Sequence, residues 1–168
     1  MIFEWAGQFL KATGALLVTS NSTVVDLVFS LDTSAYASGD VLADTQELAS
    51  ALRVVDGTGV LQDIVLNDKD DQGLAMDVVI MSANVSLGTE NAAVSISDAN
   101  ADNILAIISV TAADWIDLGG CRVATLRNLS KVVKSASGSS SLYVGLITRG
   151  APTHSASGIT ARFGFLRD

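Results

Sequence analysis

Asp68, Lys69, Asp70, Asp71 and Gln72, closed off by Gly73, lie between two apolar runs in LQDIVLNDKDDQGLAMDVVIM, residues 61–81. Asp68, Asp70 and Gln72 fall at positions 1, 3 and 5 of a helix-loop-helix calcium loop, with Gly73 at position 6. That chemistry needs a bidentate Glu at position 12, where this chain has Val79. The flanking runs have strand rather than helix periodicity, so the expected form is a solvated hairpin tip joining strands at 60–66 and 74–81. A weak cation at Asp68, Asp70 and Asp71 is left open, because crowded like charges stay exposed unless a cation or a basic neighbour accompanies them.

His154 in RGAPTHSASG is the only histidine, with Ser155 and Ser157 beside it. No G-x-S-x-G turn presents a nucleophile to it, and an acid–base role requires a carboxylate and a hydroxyl gathered around it in a cleft. The expectation is a polar loop residue. Glu47, Asp63, Asp68 and Asp77 are candidate paired carboxylates for glycoside hydrolysis, but nothing in the sequence fixes a separation between any two. Cys121 is the only cysteine, which excludes an intrachain disulfide and a thiolate metal cluster, and it reads as a small buried hydrophobe. Neither G-x-x-x-x-G-K-[ST] nor G-x-G-x-x-G occurs, so nucleotide cofactors have no support. No catalytic, cofactor-binding or metal-ligating residue is assigned.

The elements that must position these groups are strands. Runs of Val, Ile and Leu, four to eight residues long and punctuated by Gly, Asn, Asp and Ser, recur from Thr23 onward. STVVDLVFSL predicts a strand over 23–31, SAYASGDVLADTQELASALRVVD a Gly-Asp turn followed by a strand through Leu52 to Val55, VLQDIVLND another, and ILAIISV another. In VLQDIVLND, Val60, Gln62, Ile64 and Leu66 share one face and Leu61, Asp63, Val65 and Asn67 the other. LAMDVVIMS has an apolar excess that predicts burial mid-sheet or under a neighbouring subunit. Asp98 is the expected cap of a short turn through Asn103. The residues from Asp114 onward read as four more strands, and Trp115 itself as a core or interface anchor.

Eight or nine strands with one helical turn predict an all-β, antiparallel two-sheet sandwich of jelly-roll type. Its domain spans 23–168, behind an N-terminal arm or extra edge strand over 1–22.

The 168 residues suit one domain with a core that needs no disulfide or metal. The chain is 49% hydrophobic and only 17% charged, so its surface must be built from small polar residues or be covered in part by a partner. A net charge of -8 argues against phosphate neutralisation and hence against nucleic acid. Arg122, Arg127, Lys131, Lys134, Arg149, Arg162 and Arg167 crowd the last third, which is either a solvated face or one that docks an acidic surface. Glu4 stands where a signal peptide carries positive charge, and no run reaches the eighteen apolar residues of a membrane span, so secretion by that route and membrane association are not expected.

YASGDVL, VLQDIVLNDKDDQGLAMDVVIMSAN, SISDANADNILAIISV, WIDLG and the ending SSLYVGLITRGAPTHSASGITARFGFLRD resemble a family of small structural proteins of tailed bacteriophages and prophages. The resemblance covers 34–168 and carries no catalytic signature. It implies a virion protein made in the host bacterial cytoplasm, a capsid decoration or cement protein attached in trimers to the major capsid protein on the outer shell. A head fibre, a tail component or a carbohydrate-binding module are the alternatives. A sugar-binding module predicts solvent-exposed Tyr36, Tyr143 or Trp115; an enzyme predicts His154 in a cleft; a decoration protein predicts a stable oligomer.

Overall fold

The computed structural model describes residues 21–167. Ten strands run β1 (Asn21–Val28), β2 (Val41–Leu48), β3 (Thr58–Asp68), β4 (Met76–Met81), β5 (Ile104–Val110), β6 (Trp115–Asp117), β7 (Arg122–Leu126), β8 (Lys131–Lys134), β9 (Leu142–Thr148) and β10 (Ile159–Arg167). One sheet has the order β1-β10-β3-β7-β6 with β8 also on β3, and the other has the order β2-β9-β4-β5. Every pairing between these strands is antiparallel.

This connectivity is that of a jelly roll. The first four strands alternate between the sheets, and the last strand inserts between the first and third while the ninth inserts between the second and fourth. Ten strands occupy eight jelly-roll positions because β7 and β8 share one: β3 pairs through 64–68 with β7 and through 58–61 with β8. The break between them turns at Asn128 and Ser130, both at positive φ, and β6 is an added edge.

The core lies between the sheets. Leu61, Ile64 and Leu66 of β3 and Phe163 and Phe165 of β10 face Val78 and Ile80 of β4 and Val144 and Leu146 of β9, in the same buried cluster. Alternate positions on each strand point inward, which is what a pleated backbone requires of a two-layer fold.

Several expectations change. The acidic stretch is not a hairpin tip: β3 and β4 belong to different sheets, and the residues between them cross from one sheet to the other. Both strands pair instead with sequence-distant partners, β10 and β9. The expected faces of β3 are wrong because Leu61, Ile64, Leu66 and Asp68 all point inward. Phe165 pairs Leu61 and Gly164 pairs Asp63, leaving Gln62 as an extra residue. A β-bulge of this kind inverts the alternation on one side of it.

Leu52 is buried, but 52–55 forms bends and turns rather than a strand. The first strand begins at Asn21 and ends at Val28, so the proposed domain boundary at 22 falls inside β1; residues 1–20 lie outside the described residues. Five strands rather than four follow Asp114. The short helix α1 (Asp98–Ala101) is capped by Ser97, whose hydroxyl accepts from the Asn100 N–H, so the cap lies one residue before Asp98.

The outer faces of the two sheets differ. On the smaller sheet Val79, Met81, Val41 and Ile147 lie beneath Leu87, with Val85, Val94 and Ile96 packed around them. These last four residues belong to the 82–97 excursion, which is tied to β2 by bridges Asp40–Ala93 and Val41–Glu90 and by the Leu87 N–H donating to Asp44. The apolar excess of β4 is therefore covered by its own chain. The outer face of the larger sheet leaves Val24, Val28, Ile116 and Val132 exposed.

Candidate functional site

The crossover after β3 holds the chain's densest cluster of chemistry-bearing groups. Asp68, the last residue of β3, is fully buried, and its carboxylate accepts the backbone N–H groups of Asp70 (3.0 Å), Gln72 (2.9 Å) and Gly73 (2.7 Å). The carboxylate thus folds the loop around itself. Asp70 reaches the segment before β10, accepting from the Ser155 N–H (2.8 Å) and hydroxyl (3.0 Å). Gly158 is required opposite it, because an added Cβ would run into the Asp70 carboxylate.

His154, 3% exposed, closes the arrangement, with Nδ1 3.3 Å from Asp70 Oδ2 and 3.7 Å from Asp68 Oδ1. Two carboxylate oxygens thus face Nδ1. Burial works to raise the Asp70 pKa, but the Ser155 N–H and hydroxyl and the His154 ring outweigh it and hold the carboxyl below its usual range.

One atom each from Asp68, Asp70 and His154 lie within 4.8 Å of one another, close enough to share a cation. Asp68 already accepts from three N–H groups and Asp70 from Ser155. The arrangement acts as a clasp between the β3–β4 crossover and the loop before β10. Asp71, at φ 56, turns outward to Arg122, whose Nε lies 2.8 Å from it and whose other nitrogen reaches Asp117 at 3.5 Å. The basic neighbours that crowded aspartates require therefore come from the same chain.

His154 is a loop residue, but a buried one, and it does stand beside carboxylates with a hydroxyl nearby. That hydroxyl is bonded to Asp70 rather than to the ring, and the imidazole is enclosed, its side chain 1% exposed. The four candidate acids stand apart in role. Glu47 on β2 accepts from the Ser141 hydroxyl, Asp77 on β4 binds Arg149 and Ser109, and Asp63 faces outward on β3 while Asp68 faces inward. Cys121 is half-buried rather than buried, because it sits in the tight β6–β7 turn closed by the Leu118 N–H.

The aromatics expected on a sugar-binding surface are inside. Tyr36 is buried, its hydroxyl donating toward the Asp32 and Leu42 carbonyls, and burial, reinforced by Glu90, pushes its pKa up. Trp115 is a core anchor whose Nε1–H donates to the Leu74 carbonyl at 3.0 Å, and Tyr143 packs partly buried against the Val79 cluster. Trp5 lies outside the described residues. Of the basic residues, Arg122, Arg149 and Arg162 are held by Asp71, Asp77 and Asp26. Arg127, Lys131 and Lys134 remain exposed around β8.

The second feature, which the sequence reading missed, is the outer face of β1, β10 and β3. Val24 and Val28 are 59% and 57% exposed, flanking the Asp26–Arg162 ion pair. On either side of that pair lies a shallow groove. One, of about 280 Å³, is lined by Val28, Val65, Asn67 and Val123; the other, of about 220 Å³, by Val24, Gln62, Gly164 and Leu166. Asn67 Oδ1 is buried in the first groove without a hydrogen-bond partner. The signal was present in STVVDLV, whose Val and Leu residues fall at both odd and even positions.

No family model matches the chain. No curated protein matches it either. Solved structures similar in shape include the NLP-core of Drosophila, at TM-score 0.36 and 9% identity over 88% of this chain and 99% of that one. The VP2 subviral particle of infectious bursal disease virus is similar at TM-score 0.40 and 13% identity, over 88% of this chain but only 33% of that one. Desmodium yellow mottle tymovirus gives 0.27 and 11% over 89% and 83%. Several of the similar structures are thus virus particles, but likenesses this weak carry no argument, and the jelly roll rests on the strand pairing itself.

Proposed function

We propose that this chain is a structural protein of a virus particle, a jelly-roll unit that decorates or cements the outer surface of a tailed-bacteriophage capsid as a homo-oligomer, in threefold arrangement on the major capsid protein. The observation that carries the reading is the asymmetry of the two sheets. The chain's own 82–97 segment packs over much of one outer face, where Ile107 of β5 stays exposed, while the other bears exposed Val24, Val28, Ile116 and Val132. Apolar residues gathered on one face mark a surface that meets a partner. The phage assignment draws on the resemblance over 34–168, and a role in assembly rather than catalysis is supported by an imidazole enclosed in a loop clasp.

The mass of the purified full chain in solution tests this reading. A stable multiple of the 17.4 kDa chain, three for the threefold arrangement, is expected at micromolar concentration. A monomer under those conditions overturns the assembly reading.

A further inference from the structure

We infer that the groove-bearing outer face of β1, β10 and β3 is the seat of residues 1–20 of a second copy, an arm exchanged between subunits. The inference rests on the assembly reading above and names the surface and the segment through which copies would meet.

Four observations converge on it. The face exposes the apolar Val24, Val28 and Leu166 beside the polar Ser22, Asp26 and Arg162. It carries two grooves separated by the Asp26–Arg162 pair, and one of them holds the unpartnered acceptor Asn67 Oδ1, which an N–H from a chain laid across it would satisfy. The segment has the matching chemistry: twelve of its twenty residues are apolar and only Glu4 and Lys11 are charged. Its clusters Phe9-Leu10 and Leu16-Leu17-Val18 are separated by a stretch that begins with Lys11, as the two grooves are separated by an ion pair that includes Asp26.

The fourth observation concerns direction. β1 is already extended and paired at its first residue, Asn21 opposite Arg167, so the chain enters the sheet at the rim, level with the end of β10. Twenty residues can span roughly 65 Å when extended, enough to reach a neighbour. Each copy giving an arm and receiving one is a head-to-tail contact, which forms a threefold ring where the rotation between copies closes at three.

The test uses full-length protein in a Cys121→Ser background. One population carries Leu17→Cys and the other Val24→Cys; they are unfolded, mixed, refolded and treated with a short bismaleimide. The expected product is a covalent dimer containing one chain of each kind, identified by mass spectrometry. A chain carrying both cysteines that yields only an intrachain link would show that each arm covers its own sheet, and would overturn the exchange. Absence of any link would overturn it as well. In parallel, the Val24→Asp/Val28→Asp chain should lose the oligomer while keeping the β circular-dichroism signal of the parent.

If the parent is an oligomer and both the link and the effect of the aspartates are missing, the arm fails while the assembly reading stands. A monomeric parent overturns both.

Discussion

Asp68 illustrates how a buried charge is tolerated when the backbone itself solvates it. Three N–H groups converge on its carboxylate, and His154 lies behind them. Replacing it by Asn presents an NH₂ donor to N–H groups that need an acceptor. Because hydrogen bonds to a charged group contribute about 1.5–3 kcal/mol each, Asp68→Asn should lower the unfolding free energy by about 2–3 kcal/mol, read from urea denaturation. Asp70 gives a pH signature. Its folded-state pKa is held below the unfolded value, so its contribution is complete above about pH 4 and is lost as the pH falls through the folded value. Asp70→Asn should therefore flatten the acid side of a stability–pH profile below pH 4 and leave its shape near neutrality unchanged. An unaltered acid limb would count against the clasp.

At the scale of elements, the excursion over 82–97 is held against the smaller sheet by close packing. Gly145 of β9 has no side chain because Leu87 fills the space: an added Cβ would lie 2.5 Å from Leu87 Cδ1 and 3.2 Å from the Ala43 carbonyl oxygen. Gly145→Ala should cost about 1–3 kcal/mol by overpacking. Combined with Leu87→Ala it should cost less than the sum of the two single changes, a coupling readable in a double-mutant cycle. Additive costs would show that Leu87 is not what the glycine accommodates.

Elements of this kind were legible in the sequence where the pattern was local. The β5 strand and the short turn before it follow from ILAIISV and its polar approach. The alternation of β3 was not legible, because the bulge at Gln62 is fixed by its pairing with Phe165 and Gly164, a hundred residues away in the chain. Likewise the apolar run 76–81 announced burial but not its cover, since the covering residues follow it in a segment with little regular structure.

At the scale of the whole molecule, the first and last strands are neighbours. β10 lies between β1 and β3, so the larger sheet cannot be completed until the last residues pair. Removing 159–168 takes Phe163 and Phe165, two of the largest fully buried side chains, out of the core. The truncated chain should show no cooperative thermal transition by circular dichroism, whereas a two-state transition is expected of the intact one. A truncated chain that still melts cooperatively would contradict the central place of β10.

By itself the sequence determined an all-β chain built on alternating apolar runs and turn residues, because the two-residue period of a strand is written in consecutive side chains. It also determined that the acidic loop lacks a calcium loop's closing carboxylate, since Val79 can be read directly. Only the tertiary structure decided that β3 and β4 lie in opposite sheets, that His154 is buried against Asp68 and Asp70, and that the 82–97 segment packs over one outer face while Val24 and Val28 stand exposed on the other. Those outcomes depend on which distant strands pair, and the free energy that selects those pairings comes from burying both sheets at once rather than from any local stretch.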